Sequence, residues 1–176
     1  MSIHTEHSSF REKLVEHLFV GELLKLPWQD RDCSLEIAKP EVDNAGYDLI
    51  AEAHGVVRHI QLKSTYHGGR AANQKIHMRL SGKGSGCMVW AYFNENTLEL
   101  GPFYFFGGKP GEPLPALEGF KTARHTKGDQ DGYKAERPNL KVVPKGKFRE
   151  LKSMRAVYRA LFGVPAQNDL LQAQRL

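Results

Sequence analysis

The sequence predicts an α/β protein: a central mixed β-sheet flanked by helices, with one helix and three strands first, a segment of undecided type next, and further strands after it. Three observations carry that prediction. Residues 10–25 follow a helix-start signal and carry apolar residues at helical spacing. Residues 49–60 are two apolar, β-branched runs broken by a His54-Gly55 step, as in a β-hairpin. Cys87–Phe93 is an unbroken apolar run of strand length, the pattern of a strand buried on both faces.

At 176 residues and 40% hydrophobic content the chain suits one domain with a packed core. The expected organisation is a single domain over 1–176, with a core at 9–106 and a basic extension at 107–176 packing on it. Cys33 and Cys87 form no CxxC pattern, so neither a disulfide framework nor a zinc-thiolate site is expected. The start Met-Ser-Ile-His-Thr-Glu-His lacks the basic and apolar regions of a signal peptide. No apolar run approaches the roughly 20 residues that span a bilayer. A cytoplasmic protein without a membrane partner is expected.

The elements follow in order. Ser9-Phe10-Arg11-Glu12 has capping-box spacing, which predicts a helix over about Phe10–Lys25 that stops at or before Pro27. Phe10, Leu14, Leu18, Gly21 and Leu24 form one stripe and Val15, Phe19, Leu23 and Leu26 another, so both helix faces are expected to be covered. Leu35–Lys39 reads as a short strand. Asp43 falls in Asp-Asn-Ala-Gly, ordinary turn chemistry. Residues 71–81 fit a helix through Ala72/Ile76/Leu80 and a strand through Ile76/Met78/Leu80. Gly82–Gly86 is a loop without the Gly-Lys-Ser/Thr ending of a P-loop. A strand broken at Gly101-Pro102, a strand over Leu140–Val143 and a helix over Met154–Phe162 between Ser153 and Gly163 complete the reading.

The hairpin places chemistry as well as structure. With a two-residue loop, Ala53 faces Val56 and Glu52 faces Val57, which sets Asp48 opposite Gln61. Strand alternation returns Lys63 to the same face and turns Leu49, Ile60 and Leu62 the other way. His59 shares the Asp48 face and is a candidate pocket residue; the other hairpin-region histidines, His54, His67 and His77, lack the spacing of a zinc site. Glu16 lies in an apolar sector between Val20 and Leu23, where a carboxylate needs a partner. Glu22 is the alternative helix carboxylate, and Glu12 belongs to the cap.

Gly46-Tyr47-Asp48, a hairpin, and Gln61-Leu62-Lys63 at the end of an apolar strand resemble the PD-(D/E)XK nuclease superfamily over roughly residues 9–95. The Gln-x-Lys variant is similar to that of its resolvase-like and methyl-directed restriction branches. The resemblance implies a restriction-endonuclease-like core and an Mg²⁺-dependent endonuclease acting on DNA, with Mn²⁺ as a substitute metal. It also implies that Asp48, Gln61 and Glu16 hold the metal and that Lys63 completes the catalytic set. Two departures stand out: no Pro precedes Asp48, and neutral Gln61 replaces the second acidic ligand. These favour the alternative of a catalytically degenerate nuclease fold serving as a nucleic-acid-binding or protein-interaction module.

Charge points to the same partner. Residues 121–159 hold twelve Lys/Arg against four Asp/Glu, a net +8, while the remainder carries 13 against 16, a net −3. That asymmetry is expected of a protein that contacts phosphate backbones. Arg124, His125 and Lys127 are read as one loop cluster, and Lys145, Lys147 and Arg149 as a second that would share a face if extended. The expected partner is DNA, with a second copy of the chain as a further candidate.

Overall fold

The computed structural model describes residues 6–42, 45–125 and 134–163. A helix α1 (Ser8–Gln29) precedes strands β1 (Glu36–Ala38), β2 (Leu49–Ala53) and β3 (Val56–Tyr66). Then come β4 (Asn73–His77), a 3₁₀ turn at Met78–Gly82, β5 (Gly86–Phe93) and β6 (Leu100–Gly107). The chain ends with β7 (Lys121–Arg124), β8 (Glu136–Pro144), a 3₁₀ turn at Lys145–Lys147, β9 (Arg149–Leu151) and α2 (Met154–Phe162). Six strands make the central sheet in the order β1-β2-β3-β5-β6-β9, and β4-β8-β7 make a second. Among the described residues only β3 and β5 pair in parallel in the central sheet, so it is mixed, as predicted.

The two faces of the central sheet meet different layers. Ile60, Cys87, Val89 and Ala91 pack with Phe19 and Leu23 of α1 and with Val157 and Leu161 of α2. Both helices therefore lie over one face. The opposite face carries Met88, Trp90 and Tyr92, which pack with Ile76 of β4 and Val143 of β8. There the small sheet takes the place that a helix would fill. β9, from the basic third of the chain, is itself a strand of the central sheet, paired with β6 from Phe103↔Leu151 to Phe105↔Arg149.

The hairpin has the expected register, with Ala53 opposite Val56 and Leu49 opposite Ile60. His54 and Gly55 both have positive φ, 53° and 74°, as a two-residue primed turn requires. The histidine is held there by its Nε2, 3.0 Å from the Asp32 carboxylate. Residues 73–77 form a strand, because Ile76 finds a partner strand in β8 that its own neighbourhood does not announce. β6 runs through Gly101-Pro102 without a break, with the irregularity taken up opposite Ala91–Phe93. Ser153 caps α2 through the Ala156 amide at 3.2 Å, and Gly163 ends it at φ 76°.

Helix α1 corrects three expectations. It starts at Ser8 with His7 at the N-cap and no side-chain cap, because Ser9 already lies inside the helix. Pro27 sits within it and is buried; the forfeited amide bond lies in the last turns, where one missing bond is tolerated. Only the Val15/Phe19/Leu23/Leu26 stripe is buried, since one layer alone covers this helix; Phe10 is 73% exposed and Leu24 42%.

Arg58 is the least expected core residue. It is fully buried, and its guanidinium reaches the open end of α2: Nε donates to the Leu161 carbonyl at 2.7 Å and Nη2 to Ala160 at 3.1 Å. Nη2 also reaches the Gly108 carbonyl at 3.1 Å. A helix end leaves carbonyls without partners, and a cation is favourable there.

Candidate active site

The site is set by the end of β2. Gly46 has φ 75°, and a Cβ there would lie 2.4 Å from the His77 Cβ, so glycine is the residue that fits against β4. Tyr47 packs edge-on to His59, ring centroids 4.9 Å apart, with the Lys83 ammonium 5.2 Å from its ring centre. Asp48 is the last residue tied to the hairpin. Its amide donates to the Ile60 carbonyl at 2.8 Å, and its carboxylate accepts the Leu62 amide at 2.7 Å. Strand pairing itself stops at Leu49↔Ile60, one residue short of the expected Asp48–Gln61 opposition. β3 continues to Tyr66 beyond that point, paired with β5 on its other side. A cleft opens where β2 has ended.

Asp48, Gln61 and Lys63 all line this cleft, which has a volume of about 570 Å³. Gln61 is 7% exposed, and its Oε1 is buried without a hydrogen-bond partner. An acceptor left bare inside a protein costs on the order of 1–3 kcal/mol, so its position beside Asp48 asks for a ligand. The Lys63 ammonium makes no hydrogen bond or ion pair among the described residues. Its ammonium is available to whatever enters.

Glu16 lies in an adjoining cavity of about 300 Å³ whose walls also include Asp48 and Lys63. Its side chain is 10% exposed and is paired with Lys39 and, at 3.3 Å, with Lys13. Burial pushes the Glu16 pKa up, yet hydrogen bonds from Lys39 and Lys13 outweigh that and hold it below the usual carboxylate value. Glu22 lines neither cavity and pairs with Lys25 at 2.5 Å on the surface. Burial lowers the His59 pKa from its ordinary value, with the Lys83 charge adding to the effect, and the ring packs against Tyr47.

Oxygen donors from Asp48, Gln61 and Glu16 suit a hard cation, and the bare Gln61 Oε1 is the observation that fits one. Among the described residues no three His, Cys, Asp or Glu side chains gather as a metal site.

The basic residues singled out in the sequence lie elsewhere. Arg124 ends β7, exposed and 3.7 Å from Glu136, with His125 following it; Lys127 lies outside the described residues. Lys145, Lys147 and Arg149 do not share an extended face, because Lys145–Lys147 is a 3₁₀ turn. Lys145 folds over Tyr104 and Tyr92, 4.2 and 4.4 Å from their ring centres, and bonds the Tyr92 hydroxyl at 3.0 Å. Lys147 and Arg149 border a separate cavity with Lys109 and Arg159. The cations that line the central cleft beside Lys63 are Lys75, Arg79 and Arg137. Sequence reasoning missed them as site residues, since only the pairing of β4 with β8 brings them there.

No family model and no curated protein matches the sequence. Among solved structures, that of a bacterial homing endonuclease is similar at 17% identity and a TM-score of 0.28, covering 61% of this chain and 72% of that one. A likeness so slight transfers neither activity nor ligand to this chain. Among the described residues no helix is long and apolar enough to cross a membrane.

Proposed function

We propose that the cleft hydrolyses phosphodiester bonds in DNA with the help of a divalent metal, in the manner of a PD-(D/E)XK nuclease. The observation that supports this best is the convergence of Asp48, the unpartnered Gln61 Oε1 and the free Lys63 ammonium on one cleft. Asp48, Gln61 and Glu16 would hold Mg²⁺, or Mn²⁺ in its place. A metal bound there supplies Lewis acidity and lowers the pKa of its water.

The chain's own residues do the rest. Asp48 is oriented by the Leu62 amide and lines the cleft. Lys63 would neutralise charge that develops on the phosphate and orient the attacking water. Glu16 stays ionised at neutral pH. In an assay of Mg²⁺-dependent nicking, Asp48→Ala and Lys63→Ala should each remove all activity. Wild-type rates in either variant refute the mechanism.

One observation favours a second reading. Glu16 is already matched by two ammonium groups, and Gln61 brings no charge, so little negative charge is left for a metal. On that reading the fold binds nucleic acid and does not cut it. Calorimetric Mg²⁺ titration separates the two: a nuclease binds the ion and loses that binding in Asp48→Ala, whereas a degenerate site shows no binding in either protein.

A further inference from the structure

The wall of the cleft is built from one kind of chemistry. β4 and β8 pair antiparallel from Asn73↔Pro144 to His77↔Leu140, and Ile76 and Val143 anchor this ribbon in the core. Along the ribbon and its flanks the cleft is lined by Asn73, Gln74 and Asn139 and by Lys75, Arg79 and Arg137. Among the described residues lining the cleft, Asp48 is the only acid. Asn73, Arg79, Arg137 and Asn139 are exposed, although no core packing requires that composition.

Three physical points select the ligand. Four cations facing one carboxylate attract a polyanion. Carboxamides and guanidinium groups are the side chains that pair with base edges, and a two-stranded β-ribbon fits the major groove of B-form DNA. The major groove of A-form RNA is too narrow to be read this way. Single strands are gripped by stacking on aromatic rings, and no Phe, Tyr or Trp lines this cleft among the described residues.

We propose that the β4–β8 ribbon enters the major groove of duplex DNA, with Lys75 and Arg79 on phosphates and Asn73, Arg137 and Asn139 on base edges, and so sets the sequence preference of the site. The inference rests on the nuclease reading for its substrate but makes separate predictions.

The test measures binding by the full chain in EDTA, so that nothing is cut. A random-sequence DNA duplex should bind at least about tenfold more tightly than the matching single strand or RNA duplex. Methyl green, which occupies the major groove, should compete, and the minor-groove ligand netropsin should not. The double substitution Lys75→Ala/Arg79→Ala should reduce the slope of log affinity against log salt by about 2. Asn139→Ala should leave that slope unchanged and weaken the preference at a base pair selected from a randomised pool by roughly 5- to 100-fold. The groove competition uses wild-type protein and so needs no variant to fold.

Preference for single strands or RNA, competition by netropsin alone, or no binding to any of the three overturns the ribbon. Duplex binding of the expected kind without nicking in Mg²⁺ or Mn²⁺ overturns the nuclease reading and leaves the ribbon standing. Nicking that ignores the ribbon substitutions does the reverse.

Discussion

The Asp48 carboxylate accepts the Leu62 amide at 2.7 Å, fourteen residues along the chain, and takes the place that another strand residue would have filled. One side chain thus closes the hairpin and opens the cleft. The two roles separate by substitution. Asp48→Ala should cost about 1–2 kcal/mol, because a charge-assisted hydrogen bond is lost at a half-buried site. Asp48→Asn keeps an acceptor for Leu62 and should recover most of that stability while leaving nicking absent. Chemical denaturation and a nicking assay on both variants check the pair.

Gln61 offers the converse test. Gln61→Glu places a charge at a 7%-exposed position beside Asp48. Without metal, two neighbouring carboxylates should lower the melting temperature, by a few degrees for a loss of about 1 kcal/mol. With Mg²⁺ the added charge should tighten binding and restore the melting temperature. Thermal melts with and without Mg²⁺ read both effects, and a metal-independent loss counts against the metal site.

Glu16 carries a pH signature. Its folded-state pKa is below the ordinary 4.5, since hydrogen bonds from Lys39 and Lys13 outweigh the opposing effect of burial. The stability it contributes is therefore present above about pH 4.5 and is lost as pH falls through the lower folded-state value. Glu16→Gln should melt earlier than wild type at neutral pH, and the gap should close in acid. A gap that stays constant from pH 7 to 3 contradicts the pairing.

Arg58 should be the most sensitive core position that carries a charge. Arg58→Ala strips three carbonyls of their donor and leaves a cavity, at a cost on the order of 3 kcal/mol or more. Arg58→Lys restores the charge but not the fork and should recover only part. Urea denaturation of the three proteins gives the ranking.

What the sequence discloses is what neighbouring residues decide. His54-Gly55 sets the hairpin register, and strand alternation then delivers Asp48, Gln61 and Lys63 to one cleft. Ser153 and Gly163 bound α2 for equally local reasons. Residues 73–77 resist because Ile76 satisfies both periods until β8 arrives from more than sixty positions away. The cationic wall was hidden for the same reason: Lys75 and Arg137 share no neighbourhood before the strands pair. Arg58 alternates with Ile60 toward the helices, yet nothing local shows that the end of α2 awaits it. The capping box failed for a different cause, as a helix that begins two residues early puts its intended cap inside.

The parallel pairing of β3 with β5 has a consequence for how such a protein could be retargeted. Parallel neighbours need a long crossover between them, and here that crossover, residues 67–85, contains β4. The cleft wall is thus a structural tie of the scaffold and not an ornament hung on a loop. Trimming or exchanging it would sever the two strands at the centre of the sheet. An exposed side chain of β4 such as that of Asn73 can vary at little cost to packing. Diversification would therefore proceed by point substitution along a constant strand, and libraries built on this chain should randomise side chains while holding the crossover's length.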